Sequence, residues 1–364
     1  MEHQGKRRYD LILIFALVIL NIVGLVILYS TSAYNGEVKF HDSFYYLKKQ
    51  LFATILGIAC TYITAQMDYR DLEKFAVLGY LVALVLSLLV LFIGDEYNGS
   101  KRWLSFGPVS FQPSEYAKVA VILFLAALIT KNIQNMHRFT TMLKILVLIL
   151  PIVGLVGSNN LSTAIIILGI AVILIFVASP KYAQFVWMGT LGIGFMTVFL
   201  ALESYRLERL AIWRHPEKFE KGYQTMQGLY AIGSGGLFGR GLGNSIQKLG
   251  FVPEAQNDMI FSIICEELGL IGACLILLLF LVIIWRFFVI AWRAPDLFGT
   301  LIAAGAMAHM MIQVILNVAV VTNSIPNTGI TLPFVSYGGT SVVFLMVEMG
   351  LVLSVSSLVK YTEI

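Results

Sequence analysis

Charged side chains are what this sequence is shortest of. Only 13% of its 364 residues are Asp, Glu, Lys or Arg, against 58% hydrophobic ones, and the mean hydropathy is +0.84. A water-soluble domain usually carries about a quarter charged residues. That deficit excludes an ordinary globular surface, and uncharged apolar runs recurring from end to end make the chain a polytopic membrane protein. Cysteine is scarce too. Cys60, Cys265 and Cys274 stand in or beside apolar stretches, without metal-ligand spacing or evident pairing, so they read as packing residues. His3, His41, His137, His215 and His309 are equally dispersed, and no structural metal site is expected. The basic residues form no run and the net charge is only +4, which argues against nucleic acid as a partner.

What is present is a series of ten apolar runs, at 11–30, 51–66, 75–94, 119–130, 143–157, 161–179, 185–202, 264–287, 298–321 and 341–358. The expected fold is all-α: a single membrane helical bundle over 1–364 with about ten transmembrane helices. Lys6, Arg7 and Arg8 precede the first run, which is too long for a signal-peptide core and lacks a small-residue cleavage site. The N-terminus is therefore expected in the cytoplasm, and an even number of spans puts the C-terminus there as well.

Alternation places three long segments outside: 95–118, 203–262 between helices 7 and 8, and 322–340. Loops this long usually work or are disordered, and the second carries Trp213, Tyr223, Leu229 and Phe238, which predict packing onto the membrane face. The third holds Pro326, Gly329, Pro333, Gly338 and Gly339; backbone so irregular beside a bilayer must be buried in protein or line a wet cavity. The three segments are expected to converge on one face.

At the end of the second segment Glu254, Asp258, Glu266 and Glu267 crowd the threshold of an apolar run. Acids at such a boundary cost free energy unless something pairs or uses them, and Asp258 is the first candidate for chemistry. Glu115 and Lys118 open the fourth helix behind Pro113 and Ser114, three residues apart and so on one helix face. They form either a local ion pair or part of the lining of Asp258's cavity. Lys101, Arg102 and Trp103 read either as an interfacial anchor or as a grip on an anionic headgroup. The glycine tract 233–243 lacks the preceding strand and the Gly-Lys-Ser/Thr ending of a nucleotide loop, so ATP and NAD are rejected. His309, Gln313 and Asn317 recur every four residues, and Glu348 stands alone in the last run; hydrogen bonding between helices explains these better than a proton path.

Taken in order, Lys101-Arg102-Trp103-Leu104, Phe111-Gln112-Pro113-Ser114-Glu115 with Lys118, Ala231 to Gly236 with Gly241-Leu242-Gly243, Pro253-Glu254 with Asp258 and Glu266 to Gly269, and Pro333 to Gly339 resemble the SEDS family of polytopic peptidoglycan glycosyltransferases, which includes FtsW, RodA and SpoVE. The resemblance covers nearly the whole chain and leans to the FtsW and SpoVE branch. It implies a bacterial cytoplasmic-membrane enzyme whose extracytoplasmic site polymerises lipid II, a disaccharide-pentapeptide on undecaprenyl diphosphate, beside a class B penicillin-binding protein in division, elongation or sporulation. Asp258 then corresponds to the family's catalytic aspartate, Glu115 and Lys118 to its helix-4 pair, and Trp103 to its loop tryptophan. Two positions depart from the pattern: Gln256 stands where histidine is frequent, and Asn159 to Thr163 replaces the usual Pro-Asp-Leu-Gly-Thr.

On this reading Asp258 takes the proton from the acceptor 4-hydroxyl, and the diphosphate leaves without an acid, so one carboxylate suffices and the anomeric centre inverts. Lys118 and Arg102 are expected to steady the leaving charge, with Lys101, Arg209 or Arg214 as further cations and Glu254, Ser336 and Tyr337 as further substrate contacts. A magnesium or manganese ion is a possible helper, although no dedicated ligand set is visible. Membrane lipid is the surrounding partner. The rival readings are a flippase for the same lipid, another polyprenyl-linked sugar transferase, and a scaffold for division.

Overall fold

Polar residues at the ends of the apolar runs decide where the helices start. The computed structural model describes residues 8–97, 100–106, 109–186, 189–190 and 211–359. Helix α1 (Leu11–Phe40) is capped by Asp10, whose Oδ1 accepts from Leu13 N at 2.9 Å, and it ends at His41 in the left-handed conformation. Next come α2 (Tyr45–Gln66), α3 (Ala76–Ile93), α4 (Pro113–Lys131), α5 (Phe139–Gly157) and α6 (Leu161–Ala178). Pro113 opens α4, and Asn160 caps α6 by accepting from Thr163 N at 3.2 Å. An aspartate would cap that helix in the same way, so the departure at Asn160 preserves this local structure. After the long segment come α7 (Tyr223–Gly235), α8 (Ile260–Arg293), α9 (Leu297–Val321) and α10 (Gly339–Ser357).

Among the described residues eight helices are long and apolar enough to cross a membrane: α1, α3 with the 3₁₀ turn before it, α4, α5, α6, α8, α9 and α10. The 22-residue α2 is long enough but begins with Lys48, Lys49 and Gln50; it packs along α10. Most of the expected span 185–202 lies outside the described residues. Helix α4 is buried on nearly all sides, among α3, α6, α9 and α10, and forms the centre of the bundle. At the end of the bundle away from the three loops, Asp10 and Arg286 form a buried ion pair that ties α1 to α8.

The bundle is all-α as expected, with one small addition. Segment 95–118 contains a three-stranded antiparallel sheet, β1 (Asp95–Tyr97), β2 (Ser100–Phe106) and β3 (Val109–Phe111), with Asp95 opposite Trp103 and Ser105 opposite Ser110. Strand alternation puts Arg102 and Trp103 on opposite faces of β2.

Helix α8 is broken at Gly269, whose φ of 68° no other residue adopts cheaply. The break frees backbone groups that hydrocarbon cannot satisfy, and the glycine tract satisfies them. Arg240 N and Gly241 N donate to Glu266 O and Glu267 O at 2.9 and 3.0 Å; Leu270 N and Ile271 N donate to Gly236 O and Leu237 O at 2.9 and 3.1 Å. A Cβ on Gly239 would come within 2.2 Å of Glu267 O, which is why the inserted strip is glycine-rich. The tract is thus a splint for a helix.

The irregular segment 322–340 does both things its composition allows: Ile330, Leu332, Phe334, Val335 and Ser336 are buried in protein, while Asn323 and Pro326 to Gly329 line a cavity. Three side-chain amides stand in for missing secondary structure. Gln50 donates to Ser336 O at 3.2 Å and accepts from Gly338 N at 3.1 Å, Gln313 donates to Thr331 O at 3.0 Å, and Asn317 donates to Ile330 O at 2.7 Å.

Candidate active site

The four acids at the threshold of α8 separate into two kinds. Glu266 and Glu267 are buried and saturated. Glu266 accepts from the Ser245 hydroxyl and from Ile246 N and Gln247 N at 3.1 and 3.3 Å. Glu267 accepts from Lys248 Nζ at 2.7 Å and from the Ser30 hydroxyl at 2.7 Å. Ser245 and Lys248 spell Ser-x-x-Lys, yet each is held by a glutamate, so the pair is a structural clasp.

Asp258 is different. It lies two residues before α8 at the end of a tight turn, in which Asn257 N donates to Glu254 O at 2.9 Å and Glu254 takes a φ of 48°. Its backbone carbonyl accepts from Asn317 at 2.8 Å, while Gln224 Nε2 stands 3.5 Å from its Oδ1, too far for a strong bond. The carboxyl is pushed up to about 6, chiefly by burial and then by the charge of Glu254, with the N–H groups of Asp258 and Met259 pulling it partly back. A carboxylate in that range is suited to accept a proton near neutral pH.

Beside it opens a cavity of about 310 Å³. Arg102 of β2, Trp213, Lys221 and Thr225 of the long segment, and Asn323, Asn327 and Gly329 of the irregular segment line it, so each of the three segments contributes residues to one cavity. Gly329 forms the boundary with Asp258: a Cβ there would lie 3.8 Å from Asp258 Oδ2. Gln224, next to Thr225, donates to Pro253 O at 3.1 Å and accepts from Asn327 Nδ2 at 3.1 Å, joining α7, the Asp258 turn and the irregular segment. Trp213 and Asn323 hold each other reciprocally, indole N–H to carbonyl at 3.0 Å and amide to carbonyl at 3.3 Å.

Glu115 and Lys118 sit deeper than a shared cavity would require. Lys118 is 2% exposed, 3.1 Å from Glu115 Oε1 and 3.3 Å from Gln313 Oε1. Neither lines the cavity. The stripe on α9 carries the connection: His309 bridges Glu348 at 2.7 Å and Gln313 at 2.9 Å, Gln313 meets Lys118, and one turn on Asn317 meets Asp258.

The other expected contacts divide. Arg102 lines the cavity and donates to Asn159 O at 2.8 Å; the Lys101 carbonyl accepts from Asn159 Nδ2 at 2.8 Å, and both residues border a smaller pocket with Ser114 and Asn160. Trp103 is half-buried on the other face of β2. Glu254 accepts from Asn257 Nδ2 at 2.9 Å and acts on Asp258 through its charge. Ser336 is buried, and its hydroxyl accepts from Leu332 N at 2.8 Å. Tyr337 packs edge-on against Tyr46 at 4.9 Å, and burial pushes its phenol up to about 12. Arg214 is exposed and away from the cavity lining, and Arg209 lies outside the described residues. Gln256 is buried and accepts from Asn35 Nδ2 at 2.9 Å. Lys221, Gln224, Asn327 and Gly329 are site residues that the sequence does not single out, since neither the 60-residue loop nor the irregular segment 322–340 has a periodicity that would rank its residues.

Among the described residues no three His, Cys, Asp or Glu side chains gather into a cation site. A magnesium or manganese ion here would take most of its ligands from substrate phosphates and water.

Residues 10–361 match the family model for FtsW, RodA and SpoVE, described as cell cycle proteins. The chain belongs to that family. This FtsW/RodA/SpoVE member is 40% identical to stage V sporulation protein E of Bacillus subtilis (strain 168), over 98% of this chain and 99% of that one. It is 36% identical to a probable peptidoglycan glycosyltransferase FtsW of Geobacter metallireducens, over 98% and 96% of the two chains. Its fold matches a chain of a peptidoglycan synthase complex that coordinates polymerization and crosslinking, with a TM-score of 0.83, 28% identity and coverage of 97% and 99%. The rod shape determining protein RodA of Thermus thermophilus follows at 0.71, with 28% identity over 98% of each chain. Family membership makes this a multi-pass membrane protein of the peptidoglycan glycosyltransferase group.

Proposed function

We propose that this chain polymerises peptidoglycan glycan strands from lipid II, with Asp258 as the general base. The observation that carries the reading is a carboxyl raised to about 6 that lies against Gly329, a residue lining a cavity whose wall also holds two cations, Arg102 and Lys221. In the reaction the acceptor 4-hydroxyl gives its proton to Asp258 as its oxygen bonds to the donor's anomeric carbon. The bond from that carbon to the diphosphate breaks, undecaprenyl diphosphate leaves with the electron pair, and the α-linked donor becomes a β-linked residue. Arg102 and Lys221 are placed to meet the phosphate oxygens, where charge-assisted contacts count most. Lys118, buried against Glu115, supports the floor of the site through Gln313.

The loop face is extracytoplasmic in this reading, with both termini in the cytoplasm of a bacterial cell. Its FtsW and SpoVE relatives support a role in division or sporulation. A class B penicillin-binding protein is the proposed crosslinking partner, supported by the fold match to a synthase complex. A flippase is the less favoured reading, because the raised acid stands at the end of the bundle among loops and not at its middle.

Purified protein incubated with lipid II distinguishes these readings. Glycan strands from the wild type and none from Asp258→Asn support the proposal; lipid II translocation across vesicles without polymer would support the flippase.

A further inference from the structure

Asn317 is fully buried near the end of α9, and its amide donates to two carbonyls from different segments, Asp258 O at 2.8 Å and Ile330 O at 2.7 Å. Among the described residues its own Oδ1 has no donor. A buried amide with an unsatisfied oxygen is retained at a cost, which points to the donor half as its purpose. The two carbonyls belong to the turn that carries Asp258 and to the residue after Gly329, the boundary between that carboxylate and the cavity. One side chain therefore fixes both sides of the gap around Asp258 Oδ2.

We infer that Asn317 is the positioning residue of the site, setting the place of Asp258 and its separation from Gly329 through their backbones without touching substrate. This rests on the reading of Asp258 as the base. Gln224 of α7 stands 3.5 Å from the carboxylate, with Thr225 next to it in sequence and Asn327 hydrogen-bonded to it; Glu254 acts on the carboxylate by charge from its own turn, and Arg102 and Lys221 line the cavity beyond Gly329. None of these binds the Asp258 carbonyl. With Asn317 gone the turn is free to swing the carboxyl toward water, so its burial, the main cause of its raised pKa, falls.

The test is lipid II polymerisation by Asn317→Ala between pH 5 and 8, with Asp258→Asn and Gln50→Ala alongside. Gln50 binds the same irregular segment at Ser336 and Gly338 without reaching Asp258, so it reports loosening of the segment alone. The expected result is a 10- to 100-fold fall in kcat for Asn317→Ala, as for a displaced reacting group, with little change in KM. Its acid limb moves below the wild type's, while Gln50→Ala keeps the wild-type limb. Should Asn317→Ala fail to fold, Asn317→Gln, which keeps the donor but lengthens the reach, is expected to lower kcat and move the limb. A folded Asn317 variant with wild-type kcat and limb, beside an inactive Asp258→Asn, overturns the inference and leaves the base reading standing. An active Asp258→Asn overturns both.

Discussion

Gly329 and Asp258 meet with no side chain between them: a methyl on the glycine would come 3.8 Å from the carboxylate Oδ2, and the glycine holds a φ of +70°. Gly329→Ala is therefore expected to suffer through left-handed backbone strain of about 1–2 kcal/mol, which shifts the wall beside the group that takes the proton, while the methyl itself meets that group only at van der Waals distance. Steady-state polymerisation should show a lower kcat in protein that still reaches the membrane. Wild-type turnover would show that the contact is unimportant.

The raised pKa of Asp258 predicts a pH profile. With the carboxyl at about 6, activity rises with pH through that value as the base ionises. Glu254 contributes a like charge that raises it, so Glu254→Gln lowers the pKa and the acid limb moves to lower pH. Rates measured from pH 5 to 8 decide; a limb unmoved in Glu254→Gln contradicts the assigned cause.

The same shift has a stability consequence of opposite sign to the usual salt-bridged acid. The folded pKa, about 6, exceeds the ordinary 3.8, so ionising Asp258 costs stability. That cost begins above 3.8, is complete above about 6 and is absent in acid. Asp258→Asn should consequently melt at the same or a higher temperature than the wild type at pH 8 while losing activity by about 10²- to 10⁴-fold. A marked fall in melting temperature would show that the carboxylate is held by contacts stronger than those described.

Lys248 and Glu267 form a buried pair at 2.7 Å, with side chains 8% and 3% exposed. Lys248→Met strands the carboxylate and is expected to cost roughly 3–5 kcal/mol, whereas Lys248→Met with Glu267→Gln should recover much of it. Thermal unfolding in detergent reads the difference between single and double variants.

Lys221→Ala removes a cation from the cavity lining without touching the bundle core. Its expected effect is a fall in polymerisation of about 10-fold or more with an unchanged melting temperature, in line with losing one preorganised contact to a developing charge. Equal activity would remove Lys221 from the phosphate-binding role.

Much of this was legible in the sequence for reasons that can be named. Apolar runs announce spans whatever their neighbours, and Pro113 marks a helix start because the first helical turn needs no proline N–H. The three loop segments and Asp258 stand out in the sequence because polar residues there interrupt hydrophobic ones. What could not be read depends on distance in space. Glu266 and Asp258 look alike on paper, and only the arrival of Ser245 on one of them separates clasp from open carboxylate. Lys118 reads as a cavity cation until Gln313, 195 residues away, meets it inside the bundle. The strand pairing of 95–111 escaped because seven residues of β2 show little alternation.

The strip from Gly236 to Gly241 lends its amides and carbonyls to the gap in α8, so the two stretches form one hydrogen-bonded unit despite the residues between them. Grafting between relatives must respect that unit. A chimera that swaps the long loop but keeps the resident α8, or the reverse, joins halves of a ladder shaped for different partners, and exchanging 236–271 as a single cassette avoids the mismatch.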